Sequence, residues 1–407
     1  MAQTEQKDQD LGAPQFAYHA VVEPIFIVGV MVASCYFNRL RNFSIIPSSK
    51  QDQGLLGQSK LEPWDEDDVL DETERLNLAA AAASSSPTSS LTEVHPPKQR
   101  SCCGAAIRTP NSSRYAKYWH SRFIQKFPFL VEMFYWAVNL AFYVGVKNAS
   151  ELVAATDGVW QTAENHGKAV LWFEHEGPFR WMFPLREIDV QSFFRNDHQT
   201  MLTILNRAYS LIHIPVTVSF LAWYYYAAPT HAQFAEARRM MTLTNLFSFV
   251  VFTTYPCMPP RLLPEEYGFF DTVRREDAES IYATNKFFNQ LAAFPSLHFG
   301  YSFCIGTVLL YHSGLFRRRL APREKRLSKM WQVFFVALSI LYPAFVLTII
   351  VATANHYWLD AMAATLVVLA AWLSNRMLLG LLPLEDLFLW CVKLEKPFPT
   401  TGNRGGK

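Results

Sequence analysis

Residues 294–312 read FPSLHFGYSFCIGTVLLYH, an apolar run opened by Phe294-Pro295-Ser296-Leu297-His298. A helix that crosses a bilayer needs about 20 mostly apolar residues. This run is long enough, and it carries a histidine where hydrocarbon begins. Working outward, six more runs qualify, at about 19–37, 128–146, 208–228, 240–258, 331–353 and 355–374. The expected fold class is therefore all-α, a polytopic membrane helical bundle of about seven transmembrane helices. The expected divisions are an N-terminal tail 1–18, an anchor 19–37, a cytosolic loop 38–127, an embedded domain 128–378 with its core at 200–378, and a tail 379–407. The first run follows Glu5, Asp8 and Asp10 rather than a basic segment, so it reads as a signal anchor and not as a cleaved signal peptide.

Composition agrees. Half of the 407 residues are hydrophobic and only 18% are charged, against about 25% in soluble domains. This excludes a soluble globular enzyme, a disordered protein and a collagen-like fibre. A net charge of +2 leaves nucleic acid without an electrostatic basis for binding. The six cysteines form no CxxC pair, so neither a zinc site nor a disulfide scaffold is expected. Residues 80–90, AAAASSSPTSS, cannot bury a core, and the loop around them is expected to be largely disordered. Cys102-Cys103 reads as two unmodified cysteines, with palmitoylation as the alternative, and Asn148-Ala149-Ser150 is a glycosylation sequon close to the membrane.

Loop charges set the orientation. Arg39, Arg41, Lys50, Lys60, Arg114, Lys117, Arg122 and Lys126 lie between runs one and two. Arg238 and Arg239 lie between three and four, and seven basic residues from Arg317 to Lys329 lie between five and six. Between two and three, acids prevail: Glu151, Asp157, Glu164, Glu174, Glu176, Glu187, Asp189 and Asp197. Alternate loops are thus basic, which predicts a non-cytosolic N-terminus and a cytosolic C-terminus.

Three polar groups interrupt the apolar runs: Tyr255-Pro256-Cys257-Met258-Pro259-Pro260-Arg261, Phe294-Pro295-Ser296-Leu297-His298 and Asn355-His356-Tyr357-Trp358-Leu359-Asp360. The runs alternate in direction, so all three fall on one membrane face, the non-cytosolic one by charge. Ionisable groups are costly there and are functional candidates.

Their chemistry is coherent. His356 and Asp360 are four apart and share a helix face, so the carboxylate can fix the imidazole tautomer and leave Nε2 as nucleophile. Pro295 suits a first helical turn, after which Ser296, Leu297 and His298 offer backbone N–H groups to a phosphate. Arg261 supplies a guanidinium fork for phosphate oxygens, and His298 an acid for the leaving oxygen. Each residue taken alone is better read as structural; their convergence favours a site. Two histidines with Asp360 as the one obvious further ligand make a metal the weaker reading, so no metal and no cofactor are expected.

The boxes Pro295-Ser296-Leu297-His298 and His356-Tyr357-Trp358-Leu359-Asp360 resemble those of the type 2 phosphatidate phosphatase superfamily, over roughly residues 200–378. That resemblance implies a phosphatidate phosphatase/haloperoxidase-like core in which His356 forms a phosphohistidine, Asp360 orients it and His298 is the acid. Leu297 replaces a usual glycine. Where the family's hydrolases carry an arginine and a lysine, Ile350 and Thr254 stand here. The chain looks closer to the inositolphosphotransferase branch, similar to inositol phosphorylceramide and sphingomyelin synthases, although Arg261 is less typical of those synthases.

The resulting expectation is a metal-independent lipid phosphotransferase with phospholipid or sphingolipid substrates. It would be multi-pass in an endomembrane (ER or Golgi) or the plasma membrane, with its active site on the lumenal or extracellular face. The alternatives are a lipid phosphate phosphatase of the same superfamily and a non-catalytic transporter or scaffold. The aromatic segment from Leu171 to Phe183 reads either as a plain interfacial helix or as the rim of a lateral substrate entrance.

Overall fold

A computed structural model describes residues 19–41, 43–46, 97–102, 105–154, 158–211, 213–271, 291–317 and 326–401. The segment expected to be disordered around 80–90 lies outside them. The architecture is mostly helical. In chain order the α-helices are α1 (His19–Phe37), α2 (Trp119–Lys126), α3 (Phe129–Ala154), α4 (Val159–His175), α5 (Glu187–Asp197), α6 (Gln199–Leu211), α7 (His213–Ala227), α8 (His231–Thr254), α9 (Leu297–His312), α10 (Lys329–Ala352), α11 (Trp358–Leu373) and α12 (Leu382–Cys391). A two-stranded antiparallel hairpin, β1 (Lys98–Cys102) and β2 (Ala105–Thr109), precedes α2.

Each of the seven apolar runs holds a helix, yet length and composition qualify fewer as spans. Phe129–Val146 and Lys329–Ala352 pass, and α11 with residues 375–391, bent by 54°, makes a third if the pair counts as one. The others fall short for physical reasons. With 15 residues in α7 and 16 in α9, these helices reach roughly 22–24 Å at 1.5 Å per residue, against about 30 Å of hydrocarbon. Helix α8 carries Glu236, Arg238 and Arg239.

The central packing places α9 against α10, α11 and α8. Pro343 inside α10 has no N–H, so the Ser339 carbonyl loses its helical donor. Gly306 of α9 packs onto that spot: a Cβ there would meet the Ser339 oxygen at 2.6 Å and Pro343 Cγ at 2.9 Å. The large core holds Phe129, Tyr224, Tyr225, Phe234, Leu243, Cys304 and Ile305. A second core, with Leu205, Tyr209, Phe299, Ile349 and Ile350, and a third, with Ala163, Cys257, Met258 and Tyr357, flank the polar motifs.

Part of the 38–127 segment is folded. Arg100 and Thr109 of the hairpin both bond Asp386 of α12 at 2.8 Å. The C-terminal tail from 379 is held up to Thr401: Glu395 N–H donates to Ser121 Oγ, Phe398 N–H to Gln125, and Thr400 Oγ1 to the Asn38 carbonyl. Polar composition hid these contacts because they join residues far apart in sequence.

Candidate active site

Helix α10 ends in a hydrogen-bonded turn that delivers His356. Ala354 N–H donates to the Val351 carbonyl and Asn355 N–H to the Ile350 carbonyl, the paired closure of a Schellman motif. Its left-handed position is Ala354, at φ 51°. The chain then reverses, and His356 lies just before α11 rather than on it. This corrects the expected shared helix face. Tyr357 caps α11 and Asp360 is its third residue, reaching back to accept from Tyr357 N–H at 2.9 Å and to contact His356 Nδ1 at 3.1 Å.

His356 Nδ1 also lies 2.8 Å from the Ala293 carbonyl. Both neighbours are acceptors, so Nδ1 carries the proton and Nε2 keeps its lone pair. The His298 ring centroid is 5.8 Å from that of His356. Tyr209 of α6, which the sequence did not single out, stacks on His298 at 4.3 Å.

The three polar groups meet. Cys257 N–H donates to the Leu291 carbonyl, Arg261 N–H to the Ala354 carbonyl, and Ser296 N–H to the Asp360 carbonyl. This last bond corrects the reading of Ser296 as a donor to ligand. Its amide is spent on Asp360, its hydroxyl caps the Phe299 amide at 3.3 Å, and the residue is fully buried. Pro295 is outside the first turn, because Ser296 is the cap and Leu297 and His298 are the first two helical residues. The amides at those two positions have no acceptor within the helix.

Arg261 is not an open fork either. Its Nε donates to Asn355 Oδ1 at 2.8 Å, and Nη1 to both Asp271 oxygens at 3.0 and 3.1 Å. Nη2 takes part in neither. Ile350 is fully buried, and Thr254 is exposed, bonding its own helix at the Val250 carbonyl.

Two acids counted only as loop charges belong to this site's frame. Glu174 and Glu187 are fully buried. Trp358 N–H donates to Glu187 Oε1 at 3.2 Å and Leu359 N–H to Glu174 Oε1 at 2.6 Å. His175 Nε2 sits 2.7 Å from Glu187 Oε2. Burial, and then the Glu187 charge, push the Glu174 carboxyl up to about 11, so it is protonated at neutral pH. Burial also works against Glu187 ionising, but the His175 and Glu174 hydrogen bonds outweigh it and hold its carboxyl below the ordinary value. Among the described residues, Glu174, His175 and Glu187 are the one group close enough to share a metal ion. Both carboxyl groups already serve α11.

Residues 180–322 match the PAP2 superfamily model. The match supports that superfamily and, with it, phosphatase or phosphotransferase chemistry on lipids. It takes in Arg261, Ser296, Leu297 and His298 and stops short of His356 and Asp360. No curated protein and no solved structure matches the chain. The apolar helices and the superfamily together point to a membrane protein.

Proposed function

We propose that this protein is a phosphotransferase that moves a phospho-headgroup between membrane lipids through a phosphohistidine at His356, without a metal. The observation that carries the reading is the Nδ1 of His356, flanked by Asp360 and the Ala293 carbonyl, with His298 across from it. His356 Nε2 attacks phosphorus while the bond to the leaving lipid alcohol breaks, and His298 gives that oxygen its proton. An incoming lipid alcohol then returns a proton to His298 and attacks phosphorus, and the N–P bond breaks. Asp360 stabilises the imidazolium that develops.

Charge favours a phosphodiester donor over a dianionic monoester. Asp271 already neutralises Arg261, Ile350 and Thr254 replace two cations, and Asp360 and Glu187 add negative charge. Phosphoinositol is the headgroup that the branch resemblance favours. Seven spans with the site on the lumenal or extracellular face follow from the loop charges. Trp172 and Trp181 are 55% and 74% exposed, which suits a rim at headgroup depth beside the site.

The test is purified protein in nanodiscs with labelled phospholipid, with and without a lipid alcohol. Acceptor-dependent product and an acid-labile phosphoprotein that survive EDTA support transfer; water alone as acceptor supports the phosphatase. His356→Ala abolishes label and turnover. His298→Ala loses about 10²–10⁴-fold on lipid donors yet still labels with an aryl phosphate, whose leaving group needs no proton. A His356→Ala variant that turns over ends the reading.

A further inference from the structure

Helix α5 presents three residues four apart, Glu187, Gln191 and Arg195, which share one face. Together they hold two parts of the site's frame, Trp358 and Phe270. Glu187 accepts from the Trp358 amide, the first residue of α11. Gln191 is almost fully buried and bonds both backbone groups of Phe270: Nε2 donates to its carbonyl at 2.8 Å, and Oε1 accepts from its amide at 3.0 Å. Arg195 lies over the Phe270 ring at 4.5 Å. The next residue, Asp271, is the counter-ion of Arg261.

We infer that α5 is the positioning element of the reaction, with Glu187 setting the nucleophile's helix and Gln191 setting Arg261 through Phe270 and Asp271, so that Nη2, which neither Asn355 nor Asp271 takes, faces the donor phosphate as the clamp. The inference rests on the proposed phosphohistidine transfer. Its physical basis is economy: an amide side chain that satisfies both polar groups of one residue fixes that residue's place and orientation. The Phe270 backbone is pinned to a rigid helix, so the Asp271 carboxylate is presented to Arg261 at one geometry. The same helix holds α11 by its first amide, so the distance from His356 to the clamp is set by one body. A misplacement of about 1 Å at a reacting centre costs on the order of 10²-fold.

The two residues act on different steps, and kinetics separates them. In full-length protein in nanodiscs, Gln191→Leu should raise KM for the phospholipid donor about tenfold, with kcat within about threefold, because donor binding loses its aligned clamp. Glu187→Gln should lower kcat about tenfold with little change in KM, because one amide oxygen cannot serve both Trp358 and His175. Asp189→Asn, exposed on the same helix, should change neither. Where Gln191→Leu does not fold, Gln191→Glu, which keeps the acceptor and loses the donor, should show a smaller KM rise. Hydrogen exchange gives a readout free of activity: the Phe270 amide must exchange faster in Gln191→Leu, and the Trp358 amide must not. Unchanged exchange at Phe270, or equal loss of kcat and KM effects in both variants, overturns the inference. Wild-type protein that forms no phosphohistidine overturns the proposed function instead, and the exchange result still decides what α5 holds.

Discussion

Two helices start at the candidate site, and their N-termini are finished in opposite ways. At α11 the Tyr357, Trp358 and Leu359 amides are taken by the carboxylates of Asp360, Glu187 and Glu174. At α9 a neutral hydroxyl, Ser296 Oγ, caps one amide, and the first two helical positions carry Leu297 and His298. Both ends are electropositive by the same macrodipole. One is filled by the chain's own carboxyl groups and holds the imidazole beside Asp360 in place. The other is capped by a hydroxyl that brings no charge to that field. Under the proposed function, the difference favours α9 as the phosphate-facing end and α11 as the scaffold for His356.

The sharpest way to break this comparison is to make the two ends alike. Ser296→Asp keeps a good capping residue for the Phe299 amide. It also places a carboxylate where the phosphate is expected. A unit charge about 5 Å from a phosphate costs about 3 kcal/mol at an effective dielectric of 20, so turnover should fall on the order of 10²-fold. Ser296 is fully buried, so the carboxylate also lowers stability, and turnover is compared per folded molecule. Full activity in Ser296→Asp, measured by headgroup transfer, would mean that α9 does not receive the phosphate.

Each of the two helices is also seated on a glycine, α9 at its middle and α11 at its cap. Gly306 sets α9 against the uncovered Ser339 carbonyl, and Gly167 of α4 seats Tyr357, whose hydroxyl donates to the Met258 carbonyl at 2.7 Å. A Cβ at Gly167 would meet that hydroxyl at 2.7 Å and the Met258 oxygen at 2.9 Å. Overpacking of this kind costs about 1–3 kcal/mol. Both Gly306→Ala and Gly167→Ala should therefore lower Tm. Gly167→Ala should slow phosphohistidine formation as well, because Tyr357 adjoins His356. Equal activity per folded molecule in Gly167→Ala would detach the Tyr357 seat from the chemistry.

The sequence made the α9 end more legible than the α11 end. Histidine, arginine and aspartate inside apolar runs stand out because hydrocarbon penalises them, and alternation of direction brings them to one face. The helices of the seven apolar runs followed from run length, whereas α2, α4, α5, α6 and α12 did not. The acids of α4 and α5 were not legible as a frame. Glu174 and Glu187 read as two among several loop acids, since nothing local tells a buried carboxylate that caps a helix 171–185 residues away from a solvated one. A period-four signal was present in Glu187, Gln191 and Arg195, but a short polar helix gives it no apolar contrast. The turn at Ala354 lacked the glycine that normally announces such a helix end. The counter-ion of Arg261 was hidden for a similar reason, because Asp271 follows ten residues later in a loop with no regular period.

The carboxylate-filled end also predicts a pH dependence. The Glu174 carboxyl is pushed up to about 11 in the fold, from an ordinary 4.5, and burial is the main cause. Between those values the folded state holds a proton that the unfolded state has released. The contribution is therefore greatest at low pH and is lost as pH rises toward the folded value. Across about pH 6 to 9, the wild-type Tm should fall with rising pH through this group. Glu174→Gln is always neutral, keeps an oxygen for the Leu359 amide and offers N–H groups to Glu187, so its Tm should fall less steeply. Parallel slopes for the two proteins would show that Glu174 is not the proton holder.

The smallest expected effect tests the turn that links the two ends. Ala354 occupies the left-handed position between α10 and His356, where an L-residue with a Cβ is strained by about 1–2 kcal/mol. Its carbonyl accepts from the Arg261 amide, and its amide donates to Val351, so the conformation is fixed from both sides. Glycine removes the Cβ conflict but restores freedom to the unfolded chain, which offsets part of the gain. Ala354→Gly should therefore raise stability by about 0.5–1 kcal/mol, read as a small increase in Tm. The hydrogen bonds of the turn are backbone bonds and survive the change, so transfer activity should stay at the wild-type level. A loss of stability would mean that Ala354 is not strained in the left-handed region, and the account of how α10 delivers His356 would need a different turn.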